Sequence, residues 1–146
     1  MNDTSIPYHL VIPTVFALSF LIFVFINRKK LFKKGKIKWI WTCATLFFAV
    51  YFFIVSFATY TAIYYQWDLN KFDLNGDGFF SGHEITAEQK VAMNKLTNDI
   101  GRNFSFITGL ILSALISIPV FIVGRMIERK NGTTHIDAPL NSDKMV

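Results

Sequence analysis

Residues 73–84 read DLNGDGFFSGHE, a segment in which acidic and amide side chains alternate with other residues. Oxygen-bearing side chains stand at Asp73, Asn75 and Asp77 and again at Glu84, with Gly78 between them. Carboxylate, amide and carbonyl oxygens are the ligands that hard cations such as Ca²⁺ prefer. A polar turn is the alternative interpretation, because Asn-Gly and Asp-Gly are ordinary turn formers. The spacing favours the cation site.

The segment matches the pattern D-x-[DN]-x-[DN]-G-x5-E at each position and therefore resembles the calcium loop of the EF-hand family. The resemblance implies one Ca²⁺ ion held by six residues, one of which uses its backbone carbonyl. These residues are Asp73, Asn75, Asp77, Phe79 through its carbonyl, Ser81 and Glu84. The resemblance also implies that Gly78 makes the sharp turn of the loop. Mg²⁺ suits such a loop less well, because it prefers stricter geometry and retains its waters.

The chain departs from the EF-hand pattern in two respects. Glu88 and Gln89 stand where the helix after the loop usually carries further apolar residues, which puts the usual packing of the two helices in doubt. No second calcium loop is found in the sequence, although EF-hands usually occur in pairs. Either two copies pair, or another protein supplies the partner, or the membrane helices hold the single hand in shape.

The composition predicts a membrane protein, since 52% of the residues are hydrophobic and sixteen are Phe. Three runs without Asp, Glu, Lys or Arg, at 10–27, 39–67 and 103–124, each approach or exceed the roughly 30 Å thickness of the hydrocarbon layer as a helix. We therefore predict an all-α membrane protein with three transmembrane helices and one extracytoplasmic EF-hand between the second and the third. The predicted segments are a first helix over about 8–27, a basic loop over 28–38, a second helix over about 39–67, the EF-hand over 68–100, a third helix over about 103–124 and a tail over 125–146.

The charge distribution predicts the orientation. The segment 28–38 contains seven basic residues and no acidic one, which places it in the cytoplasm by the positive-inside bias. The N-terminus and the EF-hand then lie outside, and the tail lies inside. We expect a multi-pass protein of the cell or inner membrane. Five of the basic residues could also contact anionic lipid headgroups, and these are Arg28, Lys29, Lys30, Lys33 and Lys34.

Two polar stripes within the apolar runs predict helix packing or contact with a partner subunit. In the third helix small residues recur at every fourth position, at Ser105, Gly109, Ser113 and Ser117. In the second helix a similar set recurs at Thr42, Thr45, Ala49, Ser56 and Thr59. Packing within the chain, contact with another subunit and the lining of a pore remain open for both stripes. No ionisable group marks an ion path within the three runs.

The sequence predicts no catalytic residues and no enzymatic activity, because no nucleophile has a base at a recognisable spacing. We expect a calcium-binding accessory or regulatory subunit of a larger membrane complex, in which the EF-hand holds the second and third helices together and supports partner contacts. The alternatives are a homo-oligomeric, calcium-modulated ion channel and a membrane-bound, calcium-dependent scaffold or adhesion element. The expected cofactor is Ca²⁺. The expected partners are the lipid bilayer and other membrane subunits, with no nucleic acid.

Overall fold

The computed structural model describes residues 6–32 and 36–133, and within these ranges the chain is helical without β-strands. Five α-helices and one 3₁₀ turn follow one another. They are α1 (Tyr8–Leu31), α2 (Lys36–Asn70), the 3₁₀ turn Gly82–Glu84, α3 (Ala87–Thr97), α4 (Ile100–Asn103) and α5 (Ser105–Thr133). The prediction of an all-α chain is confirmed.

Three helical segments of the described residues are long and apolar enough to cross a membrane. They are Tyr8–Leu31, Ile37–Asn70 and Ala87–Lys130. In the third segment α5 carries the uncharged run. The prediction of a multi-pass membrane protein with three spans is therefore confirmed by length and composition.

The helices extend further than the sequence predicted. α1 continues through Leu31, α2 begins at Lys36, and α5 continues to Thr133, inside the predicted tail. Charged residues end an apolar span but not a helix, since Lys and Arg are good helix formers. Three basic residues also lie in the last turn of α1, where cations interact favourably with the helix dipole. The described residues of the basic loop are thus mostly helical, and Lys33 and Lys34 lie outside the described residues.

Helix α2 lies at the centre of the membrane part and packs against α1 and α5, which contact each other little. On α1 the buried residues Leu10, Ala17 and Val24 recur at every seventh position, and the first two pack with buried residues of α2. The rings of Phe20 and Phe48 meet with their centroids 4.0 Å apart. Because one stripe of α1 is buried, its remaining apolar side chains are left for lipid or for another protein.

The small-residue stripe of α5 lies against α2. Ser105, Gly109, Ser113 and Ser117 are all buried. A Cβ placed at Gly109 would meet Tyr51 and Ile54 of α2 at 3.3 Å, so the two helices approach closely at this point. The stripe therefore takes part in packing within the chain.

Two polar contacts also join α2 and α5. The Tyr51 hydroxyl donates to the Phe106 carbonyl at 3.2 Å, and the Cys43 thiol donates to the Ser117 carbonyl at 3.1 Å. Both acceptors belong to the backbone of α5, so these bonds fix the register of the two helices.

The polar stripe of α2 is half-buried along its length. Its threonine hydroxyls donate to carbonyls one turn earlier in the same helix, which satisfies them without a partner helix. These bonds run from Thr42 to Lys38, from Thr45 to Trp41 and from Thr59 to Val55. The Thr59 hydroxyl also lies 3.2 Å from that of Thr14, so this end of the stripe faces α1. Ala49 and Ser56 are half-buried too, and contact with a partner subunit stays a prediction for this face.

Candidate calcium loop

The loop follows the end of α2, a helix longer than a bilayer requires. With 35 residues, the helix is about 52 Å long, against a hydrocarbon layer of about 30 Å. The end of α2 next to the loop presents Tyr60, Tyr64 and Trp67 as an exposed aromatic face, and the Lys71 ammonium lies 3.9 Å from the centre of the Trp67 ring. Aromatic residues of this kind are typical of the membrane–water interface.

Asp73 shapes the first half of the loop. The Gly76 N–H donates to its Oδ1 at 2.8 Å, and the Gly78 N–H donates to its Oδ2 at 3.0 Å. Both glycines have positive φ, 73° at Gly76 and 81° at Gly78, a region in which a side chain would be strained. The turn that the motif requires at Gly78 is therefore present in the backbone.

Asn75 and Asp77 continue the turn through bonds to the backbone two residues later. The Asp77 N–H donates to Asn75 Oδ1 at 3.0 Å, and the Phe79 N–H donates to Asp77 Oδ1 at 2.7 Å. The Asn75 amide also donates to Asp77 Oδ2 at 2.8 Å. These bonds leave each oxygen with further acceptor capacity, since a carboxylate offers about four lone-pair sites.

Glu84 closes the loop and is the one buried residue in it, with 6% of its surface exposed. The N–H groups of Leu74 and Asn75 donate to its Oε1 at 2.8 and 3.2 Å, and the Ser81 N–H donates to its Oε2 at 3.0 Å. In return, the Glu84 N–H donates to the Ser81 backbone carbonyl at 3.0 Å. One carboxylate thus joins the beginning of the loop to its end.

These contacts change the acidity of Glu84. The bond from the Ser81 N–H, together with those from Asn75 and Leu74, holds the pKa of Glu84 below its ordinary value of 4.5, against the opposing effects of burial and of the Asp77 charge. Hydrogen bonds to the ionised form favour ionisation. A depressed folded-state pKa means that the stabilisation is complete above the unfolded-state pKa and is lost as the pH falls through the folded-state value.

We therefore expect acid to open the loop only below the ordinary pKa of a glutamate, 4.5. In an NMR titration of the protein in detergent, the Leu74 and Ser81 amide resonances should stay constant near neutral pH and shift together in acid. In Glu84→Gln the same amides should show no such transition. A transition of equal size in that variant would contradict the assignment of the acid effect to Glu84.

The structure differs from the expected EF-hand after the loop. The helix that the motif leads one to expect directly after Gly82 is replaced by the turn Gly82–Glu84, and α3 begins only at Ala87. Gly82 has a φ of 51°, and Thr86 is extended and caps α3 by accepting the Gln89 N–H at 3.1 Å. The cap satisfies a free N–H of the first turn, so the helix begins there.

The carboxylate oxygens of Asp73, Asp77 and Glu84 do not converge on a single position. Within 6–32 and 36–133, no three His, Cys, Asp or Glu side chains lie close enough to form a metal-binding group. Asp73, Asp77 and Glu84 instead direct their oxygens to backbone N–H groups of the loop. The donors are nevertheless oxygens of the kind that suit Ca²⁺, so the residues fit the ion chemically, and ion binding remains a prediction.

An apolar groove of about 660 Å³ lies between the loop and α3. Phe79, Phe80, Ile85 and Met93 line it, and Phe79 is 77% exposed. On the other side, α3 packs on α2, where Leu69 and Ala92 are buried. Gln89 lines the groove as well, and this polar residue is buried there.

Two features of the structure were not predicted from the sequence. Arg102 is buried at the start of the third span, where its side chain is 3% exposed. Near the other membrane face, the ring of Trp39 lies directly against Gly124. The start of α3, in contrast, has a signal in the sequence. Thr86 and Gln89 form a T-x-x-Q pattern, which is typical of a helix N-terminus.

Comparison of the chain with protein-family models, with curated proteins and with solved structures found no match. The interpretation of the loop therefore depends on the residues of this chain alone.

Proposed function

We propose that this chain is a calcium-binding accessory or regulatory subunit of a larger membrane complex. In this proposal the loop 73–84 takes up Ca²⁺ on the extracytoplasmic side and holds α2 and α3 in a fixed relation. The observation that carries the proposal is the arrangement at Asp73 and Gly78, where the motif glycine adopts a φ of 81° and donates to the motif aspartate.

The residues that would hold the ion are those of the motif. Side-chain oxygens would come from Asp73, Asn75, Asp77, Ser81 and Glu84, with the backbone carbonyl of Phe79. Because the carboxylates now accept backbone N–H groups, ion binding has to draw at least Glu84 away from some of its amide donors. That exchange opposes binding, which supports a weak site of about 10⁻⁴ to 10⁻³ M, as in extracellular modules.

A subunit role is favoured over a pore by the burial of the α5 stripe. Ser113 and Ser117 are 0% and 2% exposed and lie against α2, so they are not available to line a passage in this arrangement. The exposed apolar groove beside the loop supports a protein contact on the same side as the proposed ion. An ion that orders the loop would then also order one wall of that groove.

Calcium should raise the thermal stability of the purified protein in detergent. With a dissociation constant of about 10⁻⁴ to 10⁻³ M, 10 mM Ca²⁺ stabilises the bound form by about 1.4 to 2.7 kcal/mol. In Asp73→Asn and Glu84→Gln the calcium-dependent rise in Tm should disappear, because each variant removes one charge from a site with three carboxylates.

Glu88→Gln is the matched control, since Glu88 is an exposed carboxylate on α3 outside the motif. It should keep the full calcium response, and Mg²⁺ at the same concentration should give a smaller one. Equal calcium responses in the unaltered protein and both ligand variants would remove the ligand assignment. A submicromolar dissociation constant with the loop facing the cytosol would make the loop a switch instead of a structural site.

A further inference from the structure

Arg102 is buried although residues on both sides of it in the chain are exposed. It belongs to α4, the short helix that leads into α5, and its neighbours Ile100 and Phe104 are both exposed. A long cationic side chain near the end of a membrane span usually extends its charge to the polar interface. Burial of this one therefore requires partners inside the protein.

The partners are found at the end of α3. Arg102 Nη1 donates to the Lys95 carbonyl at 3.2 Å, and Nη2 donates to the Leu96 carbonyl. Both carbonyls lie in the last turn of α3, which ends at Thr97, where backbone acceptors have no partner within the helix. The C-terminal end of a helix also carries partial negative charge, which a guanidinium stabilises. Arg102 thus caps α3 from a later segment of the chain.

The same guanidinium contacts α2. Its carbon Cζ lies 5.2 Å from the centre of the Tyr65 ring, within the range of a cation–π interaction. Asp99 completes the arrangement, since its Oδ2 lies 3.8 Å from Nη1 and its Oδ1 accepts the Arg102 N–H at 2.9 Å. One side chain therefore joins the outer end of α2, the end of α3 and the beginning of α4.

The chain continues from this point into α5 without a flexible linker. The Phe104 N–H donates to the Ile100 carbonyl, and the Thr108 N–H donates to the Phe104 carbonyl, each at 3.0 Å. A displacement of α3 is accordingly passed to the first turns of α5 through Arg102 and α4. Without the guanidinium, the direct connection between α3 and α4 is the backbone at Asn98 and Asp99.

We propose that Arg102 is the positioning residue that couples the calcium-dependent order of the loop to the outer end of α5. This inference rests on the proposed calcium function. The ion orders the loop and the start of α3, and because α3 is a continuous helix, its last turn is ordered as well. The Arg102 guanidinium, bound to that turn, then restricts the motion of α4 and of the start of α5.

Hydrogen exchange of the full chain in lipid nanodiscs, with EGTA or with 10 mM Ca²⁺, tests the coupling. In the unaltered protein calcium should slow exchange in α3 and in the first turns of α5. In Arg102→Met, the calcium affinity measured by calorimetry should stay within about threefold of that of the unaltered protein, and calcium should still slow exchange at the start of α3. The roughly tenfold slowing of exchange in the first turns of α5 should be lost. Arg102→Lys keeps the charge without the paired donors and should show an intermediate loss, and it carries the test if Arg102→Met does not fold.

Lys95→Met is the control, because the Lys95 side chain is exposed and only its carbonyl takes part in the cap. It should behave like the unaltered protein. If Arg102→Met and Arg102→Lys bind calcium and still show the full effect at α5, the coupling role is wrong and the calcium function stands. If the unaltered protein does not bind calcium, the proposed function falls and the coupling falls with it.

Discussion

Gly124→Ala is expected to separate α2 and α5 near the end of the span opposite the loop. The Trp39 ring lies against the backbone of α5 at Gly124, and a Cβ at this position would overlap several ring atoms. The indole is a rigid group near the start of α2, so it has to move away as a whole. Overpacking of this kind costs about 1–3 kcal/mol of unfolding free energy, which the better helix propensity of Ala offsets by about 1 kcal/mol at most.

Two glycines earlier in the chain, one in α4 and one in α5, provide a graded series with Gly124. Gly109→Ala should cost less, because the new Cβ would meet Tyr51 and Ile54 at 3.3 Å, a distance that small shifts can relieve. Gly101→Ala should cost nothing, because a Cβ there would make only an ordinary contact with Asp99 Oδ1, at 3.6 Å. Reversible unfolding in mixed detergent micelles would rank the three variants.

A compensating change isolates the contact. Trp39→Leu combined with Gly124→Ala should recover part of the lost stability, since the smaller side chain makes room for the methyl group. Trp39→Leu alone should be destabilising through loss of the packed ring. If the double variant is no more stable than Gly124→Ala, or if Gly124→Ala matches the unaltered protein, the close packing at this point is contradicted.

The membrane part was predictable from the sequence to the extent that it depends on composition. Uncharged runs locate the three spans because a bilayer selects for length and hydropathy. The stripe from Ser105 to Ser117 identifies a face of α5 that permits close approach. The contact of Trp39 with Gly124 was not predictable, because it depends on the register between two helices distant in sequence. A tryptophan at a span end is equally typical of an interfacial anchor.

The loop was predictable where its geometry follows from residue type. Gly78 has a φ of 81°, a conformation that glycine adopts readily, so the glycine of the motif predicts it. The amide partners of Glu84 and the cap made by Arg102 were not predictable, since each depends on where a folded backbone places its N–H or carbonyl groups. The beginning of α3 at Ala87 was predictable in principle, since Thr86 and Gln89 form a T-x-x-Q pattern that signals a helix N-terminus.

Glu84→Ala is expected to open the loop even when calcium is absent. Three N–H groups, from Leu74, Asn75 and Ser81, lose their acceptor at once. Two of them lie at the beginning of the loop and one near its end, so the change disconnects the two halves. In EGTA, amide exchange at these positions should become at least about tenfold faster than in the unaltered protein.

Comparison with Glu84→Gln separates the structural role of this side chain from its proposed ligand role. Glutamine keeps the length and one carbonyl oxygen, so it can still accept from part of the N–H set, but it lacks the charge that a bidentate calcium ligand supplies. We expect Glu84→Gln to retain much of the exchange protection in EGTA and to lose the calcium response. Glu84→Ala should lose both. Unchanged amide exchange in Glu84→Ala would show that the carboxylate does not hold the loop closed, and any later loss of calcium binding in that variant would then be a direct loss of a ligand.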